Sequence, residues 1–203
     1  MILRLLSMVL IALLAPGGAL AATLLVFGDS LSAGYGLPRE EAWVSLLERK
    51  LREARPDYKV VNASVSGETT AGGRARIEQA LETHRPALVI LALGANDGLR
   101  GYPIDALRAN LEAIIETCRR HKAQVLLVGM QLPPNYGPAY TGKFRTAFAE
   151  IARKHALPSV PFLLEGFAEK REYFQDDGLH PSAAAQPLIA ETVWKALRPL
   201  LKP

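Results

Sequence analysis

Residues 87–93 read ALVILAL, seven residues without one polar side chain. A run of this length and apolarity is a strand covered on both faces, the place of a central strand in a parallel sheet. The same reading extends outward. Residues 23–27 (TLLVF), 59–62 (KVVN), 124–130 (QVLLVGM) and 159–162 are four further strands. Between them lie stretches with helical spacing. Residues 40–52 carry Trp43, Leu46, Leu47 and Leu51 on one face, residues 69–84 open with two threonines as candidate caps, residues 104–121 follow, and residues 140–155 align Phe144, Phe148 and Ile151. The chain closes with a helix striped by Ile189, Val193, Ala196, Leu197 and Leu200, with Pro187 in its first turn, where proline is best tolerated. Strand–helix alternation of this kind predicts a three-layer α/β/α sandwich around a five-stranded parallel sheet.

Of the 203 residues, 49% are hydrophobic and 22% charged, which excludes a disordered or fibrous chain and favours one domain with its own core. The net charge is +4, with Lys and Arg scattered among acids rather than gathered in a stripe, so nucleic acid is not an expected partner. The single cysteine, Cys118, shares the spacing of Leu111, Ile114 and Ile115, and reads as a small buried hydrophobe rather than a catalytic thiol.

The first residues have the form of a secretory leader. Arg4 precedes an apolar run at 5–14, Pro16-Gly17-Gly18 interrupts it, and Ala19-Leu20-Ala21 has the small-x-small form of a cleavage site. The run is shorter than the ~20 apolar residues of a membrane span. The expectation is a signal peptide at 1–21 and a catalytic domain at 22–203, exported to the periplasm, without an integral span in the mature chain, and monomeric. Loss of Arg4 with the leader would leave a net charge of about +3.

Small and polar residues follow the strands: Gly28-Asp29-Ser30-Leu31-Ser32, then Ser66-Gly67-Glu68, then Gly94-Ala95-Asn96-Asp97, and after the last strand Asp176-Asp177-Gly178-Leu179-His180. In an open parallel sheet the carboxyl ends of the strands share one edge, and ligands bind there. Distant segments therefore converge on one crevice. A serine hydroxyl becomes a nucleophile when a histidine takes its proton, and the histidine needs an acceptor on its other nitrogen. Asp177 and His180 are three apart, a spacing at which two side chains meet on a helical turn. Ser30 is then the nucleophile, with His180 the base and Asp177 its partner. An oxyanion needs donors already in place. Gly67 offers an unhindered N–H, Asn96 a neutral amide, and Ser30 its own N–H at a helix start.

These blocks, in this order, resemble the SGNH (GDSL) hydrolase family: Gly28-Asp29-Ser30-Leu31-Ser32, Gly67, Gly94-Ala95-Asn96-Asp97 and Asp177-Gly178-Leu179-His180-Pro181. The stretches at 28–35 (GDSLSAGY), 61–67 (VNASVSG), 96–101 (NDGLRG), 134–137 (PNYG) and 175–181 (QDDGLHP) are similar to family members with thioesterase, arylesterase and lysophospholipase activity. The resemblance implies flavodoxin-like topology, a Ser30–His180–Asp177 triad, and an oxyanion hole of Ser30, Gly67 and Asn96. It implies no metal and no cofactor, and a small-molecule acyl ester, thioester or lysophospholipid as substrate. The resemblance implies glycine where this chain has Ala95; alanine fits there unless the position needs a positive φ. Ser32 replaces the second glycine of a G-x-S-x-G elbow, so Ser30 should sit on a looser turn.

Taken singly, Ser30 reads as a helix cap, Gly67 as a turn residue and Asn96 as a cap. Asp29, Asp97 and Asp176 read as local acceptors, and His84, His121 and His155 as structural residues at helix ends. The segment at 131–142 (QLPPNYGPAYTG) is a candidate acyl-chain lid, with Tyr136 and Tyr140 flanking the acyl tail as substrate-binding residues. Two other functions share these residues. A carbohydrate acetylesterase would use the same triad. A metal-dependent phosphoesterase would gather Asp29, Asp97, Asp177 and His180 around a divalent ion.

Overall fold

In the computed structural model, which describes residues 21–201, the apolar run at 87–93 becomes β3 (Leu88–Ala92), buried along its whole length. It pairs in parallel with β1 (Ala22–Gly28) on one side and β4 (Gln124–Val128) on the other. β2 (Tyr58–Asn62) lies beyond β1 and β5 (Ser159–Val160) beyond β4, giving the order β2-β1-β3-β4-β5. This is the doubly wound flavodoxin-like order, in which the chain reverses its direction of travel between β1 and β3. The register sets Gly28 beside Ala92, so the loops leaving β1 and β3 emerge side by side at that switch point.

Two helical layers cover the sheet. α2 (Trp43–Ala54) packs with α7 (Gln186–Leu197) on one face. α3 (Thr70–His84), α5 (Ile104–Arg120) and α6 (Pro138–Lys154) form the other layer. The short helices α1 (Ser30–Ala33) and α4 (Ala95–Leu99) start at the ends of β1 and β3. Cys118 is fully buried, and burial pushes its thiol up to about 12, which fits a packing role. Among the described residues, no helix is long and apolar enough to cross a membrane. The leader expected at 1–21 lies, except for Ala21, outside the described residues.

Three expectations are corrected. The helix expected at 40–52 divides into a 3₁₀ turn at Arg39–Glu41 and α2, because Ala42 is extended and the Trp43 N–H donates to Gln186 Oε1 at 3.0 Å. The strand expected at 159–162 stops at Val160, since Pro161 has no N–H to extend the ladder. The Asp176–His180 block does not follow β5 directly. Residues 161–175 intervene, and a single antiparallel bridge between Phe174 and Pro181 closes the loop that carries the block.

Candidate active site

Ser30 is the first residue of α1. Asp29 precedes it in extended conformation and caps the helix, its Oδ1 accepting the Leu31 N–H at 3.0 Å. Ser30 has no positive φ, so the looser turn expected for it is observed. Asp29 is almost wholly buried. Burial pushes its carboxyl up to about 7, against the opposing pull of the Leu31 N–H and of His180.

His180 Nε2 lies 2.9 Å from Ser30 Oγ, across 150 residues of chain. Its Nδ1 lies 2.6 Å from Asp177 Oδ2. With the proton on Nδ1, the imidazole donates to the carboxylate and accepts the serine O–H. The segment holding this pair is not the helical turn expected from the spacing. Gly178 has φ +69°, and Asp177 Oδ1 accepts the N–H groups of Leu179 and His180, both at 2.9 Å. The carboxylate thus folds its own turn and orients the ring together. The His180 N–H and then the imidazole hold the Asp177 pKa down to about 2, so it is ionised throughout the neutral range.

Asn96 lies on α4 and donates one amide hydrogen from Nδ2 to Glu68 O at 3.0 Å, leaving the second available. Gly67 has φ +79°, a backbone geometry that favours glycine, and its N–H donates to no backbone carbonyl among the described residues. Ala95 is not among the residues with positive φ, so alanine is accommodated. Asp97 is turned away from the serine; both its carboxylate oxygens are held by the N–H and hydroxyl of Thr70. Among the described residues, no group of three or more His, Cys, Asp or Glu is placed to hold a metal ion.

Ser30, Asn96 and His180 open onto a cleft of about 780 Å³. Its floor and walls are largely apolar, with Leu99, Met130, Leu132, Phe162, Leu164 and Leu179 among them. Gly67 does not line the cleft itself; it is tied to Asn96 through the carbonyl of its neighbour Glu68. The 131–142 segment supplies one wall through Gln131, Leu132, Pro133, Pro134, Pro138, Thr141 and Gly142. Tyr136 and Tyr140, expected to flank an acyl tail, are not among the lining residues. Their hydroxyls donate instead to Leu99 O at 3.0 Å and Tyr102 O at 2.8 Å, which pins the segment against the loop after α4.

One neighbour of the site was not singled out from sequence. The Tyr35 ring packs on the His180 ring, centroids 4.4 Å apart. Gln175 joins the two, its Nε2 donating to Tyr35 O at 2.8 Å and its N–H to His180 O at 2.8 Å. Tyr35 stands within the GDSLSAGY stretch, but only the fold brings it against a histidine so distant in sequence.

A hydroxyl, an imidazole and a carboxylate in one hydrogen-bonded chain, at the carboxyl edge of a doubly wound sheet, define the class of hydrolases that react through a serine. The protein belongs to the GDSL-like lipase/acylhydrolase family, whose model matches residues 26–187. It is 48% identical to esterase TesA of Pseudomonas aeruginosa over 90% of this chain and 91% of that protein. It is 40% identical to thioesterase 1/protease 1/lysophospholipase L1 of Escherichia coli (strain K12), over 90% of this chain and 86% of that protein. The solved structure of TesA superposes with a TM-score of 0.86 at 48% identity, covering 88% of this chain and 99% of that one.

Proposed function

We propose that this protein is a serine hydrolase that cleaves carboxylic esters and acyl thioesters, aryl esters and lysophospholipids among them, through an acyl-enzyme on Ser30. The observation that carries this reading is the unbroken chain from Ser30 Oγ through His180 to Asp177, at 2.9 and 2.6 Å, opening on an apolar cleft. The names of its relatives, an esterase and a thioesterase, support the same chemistry.

In the first half of the reaction Ser30 Oγ attacks the acyl carbon and its proton passes to His180 Nε2. Asp177, ionised, stabilises the imidazolium. The carbonyl oxygen takes up the negative charge, met by the N–H groups of Ser30 and Gly67 and the free amide hydrogen of Asn96. Each such donor typically contributes about 3 kcal/mol to transition-state stabilisation. The C–O or C–S bond then breaks, and the leaving alkoxide or thiolate receives the proton from His180. Water repeats the sequence on the acyl-enzyme and releases the acid. No step needs a cofactor. The acyl chain lies along Leu99, Leu132, Phe162 and Leu164. The small-x-small motif before Ala22 supports a leader at 1–21, a mature domain from residue 22 and export to the periplasm.

The test is fluorophosphonate labelling of wild type and Ser30→Ala, with p-nitrophenyl esters of increasing chain length. Wild type should label and turn over, and the variant should do neither to within about a thousandth of the wild-type rate. Each methylene buried in the cleft should raise kcat/KM about fourfold until the cleft is full. Full esterase activity in Ser30→Ala would end the assignment, and a profile that peaks at acetate would favour the carbohydrate acetylesterase instead.

A further inference from the structure

The loop at 63–69, between β2 and α3, holds Gly67 and is clamped from one side by a single side chain. Arg76, on α3, donates from Nη1 to Ala63 O at 2.8 Å and from Nε to Glu68 Oε2 at 2.6 Å. Its guanidinium lies over the Phe27 ring at 4.0 Å from the centroid, anchored to the central sheet. Both ends of the loop are therefore referenced to α3 and β1 by one residue. The Glu68 carboxylate also accepts the Thr69 N–H at 3.1 Å, and Glu68 O accepts the Asn96 amide at 3.0 Å. A Cβ at Gly72 would come 1.9 Å from Glu68 Oε1, so the helix leaves space for this carboxylate. On the far side, Arg100 Nη2 donates to Gly67 O at 3.1 Å.

We propose that Arg76, acting through Glu68, is a positioning residue that holds the Gly67 N–H and the Asn96 amide where the acyl oxygen develops its charge. This deepens the proposed reaction and rests on it. The Arg76–Glu68 pair touches no substrate. Its loss frees the peptide that carries one donor and the carbonyl that orients the other, and a displacement of about 1 Å at such a group costs on the order of a hundredfold in rate.

The test compares Arg76→Met, Arg76→Lys and Glu68→Gln with wild type on one p-nitrophenyl ester, with Asn96→Ala alone and combined with Arg76→Met. Ser30→Ala, assayed beside them, checks the hydrolase reading separately. We expect Arg76→Met to lower kcat about 10- to 100-fold with KM within about threefold, and Arg76→Lys to recover part of it. In the Asn96→Ala background, Arg76→Met should cost at most about a further threefold, because the two changes disturb one group of donors. A folded Arg76→Met with wild-type kcat, a loss carried by KM, or losses that multiply fully in the double variant would overturn the proposal. Should Arg76→Met fail to fold, Glu68→Gln keeps the backbone carbonyl and is held to the same criteria.

Discussion

Asp29 is a carboxyl with about 1% of its surface exposed, next to Ser30, the proposed nucleophile. Its burial has a consequence for stability that can be signed. Below about pH 4 the group is protonated in both the folded and unfolded chain. Between there and about 7, the folded chain keeps a proton that the unfolded chain releases. Stability from Asp29 is therefore full below pH 4, declines as pH rises, and is gone above 7. Asp29→Asn keeps an oxygen for the Leu31 N–H and loses the titration. The melting temperature of the variant, relative to wild type, should be higher at pH 8 than at pH 4.5; an equal difference at both would show that the carboxyl is not desolvated as described. Asp177 behaves in the opposite way. Its pKa of about 2 means its contribution is present above about pH 4 and is lost only in strong acid. At this scale the sequence was most informative where chemistry restricts the residue type. Ser30, Asp177 and His180, which the fold brings together, could be picked out because few side chains perform the tasks proposed for them, and Gly67 and Asn96 because their blocks stand in order with the other two. Arg76 and Tyr35 could not, because an arginine on a helix and an exposed tyrosine are ordinary until the fold supplies Glu68 and His180 as neighbours.

Among the elements, β4 and β5 meet in a narrow space. A Cβ on Gly129, just past β4, would lie 2.4 Å from Pro161 O, a backbone atom that cannot rotate away. Gly142, within α6, has nothing within 4 Å of the equivalent position. Two identical substitutions should thus act with opposite sign. Gly129→Ala should destabilise by about 1–3 kcal/mol, as over-packing does. Gly142→Ala should stabilise by about 0.5–1 kcal/mol through helix propensity. Urea denaturation of the two variants reads both, and a shared sign would refute the packing described. Strands and helices were legible in sequence because their apolar periods are local. Their ends were less so, since those depend on partners. The Trp43 N–H that begins α2 is met by Gln186, and the Asp177–His180 spacing that suits a helix is instead folded as a carboxylate-capped turn.

Across the whole molecule, the two ends of the chain are joined behind the site. Gln186, buried at the start of α7, accepts the Trp43 N–H and donates to Pro181 O at 3.3 Å and Ser182 O at 3.2 Å. It links α2, α7 and the segment that carries His180. Gln186→Leu would leave the Trp43 N–H without its partner, at a cost of about 1–3 kcal/mol for an orphaned buried group, while Pro181 O and Ser182 O keep Gln175 Nε2 and the Ala185 N–H as donors. Calorimetry should show melting lowered by about 2–4 °C for each kcal/mol in a domain of this size, and unchanged melting would mean the linkage carries no weight. The order of layers and the shared sheet edge followed from alternation alone, while this linkage was invisible because glutamine before proline has no signature in sequence. The distance along the chain between serine and histidine has a further effect in time. A ribosome makes Ser30, the proposed nucleophile, early and His180, its proposed base, near the end. A half-made chain therefore holds an inert alcohol, and the first competent molecule exists only once the last turn has been threaded back to the first strand.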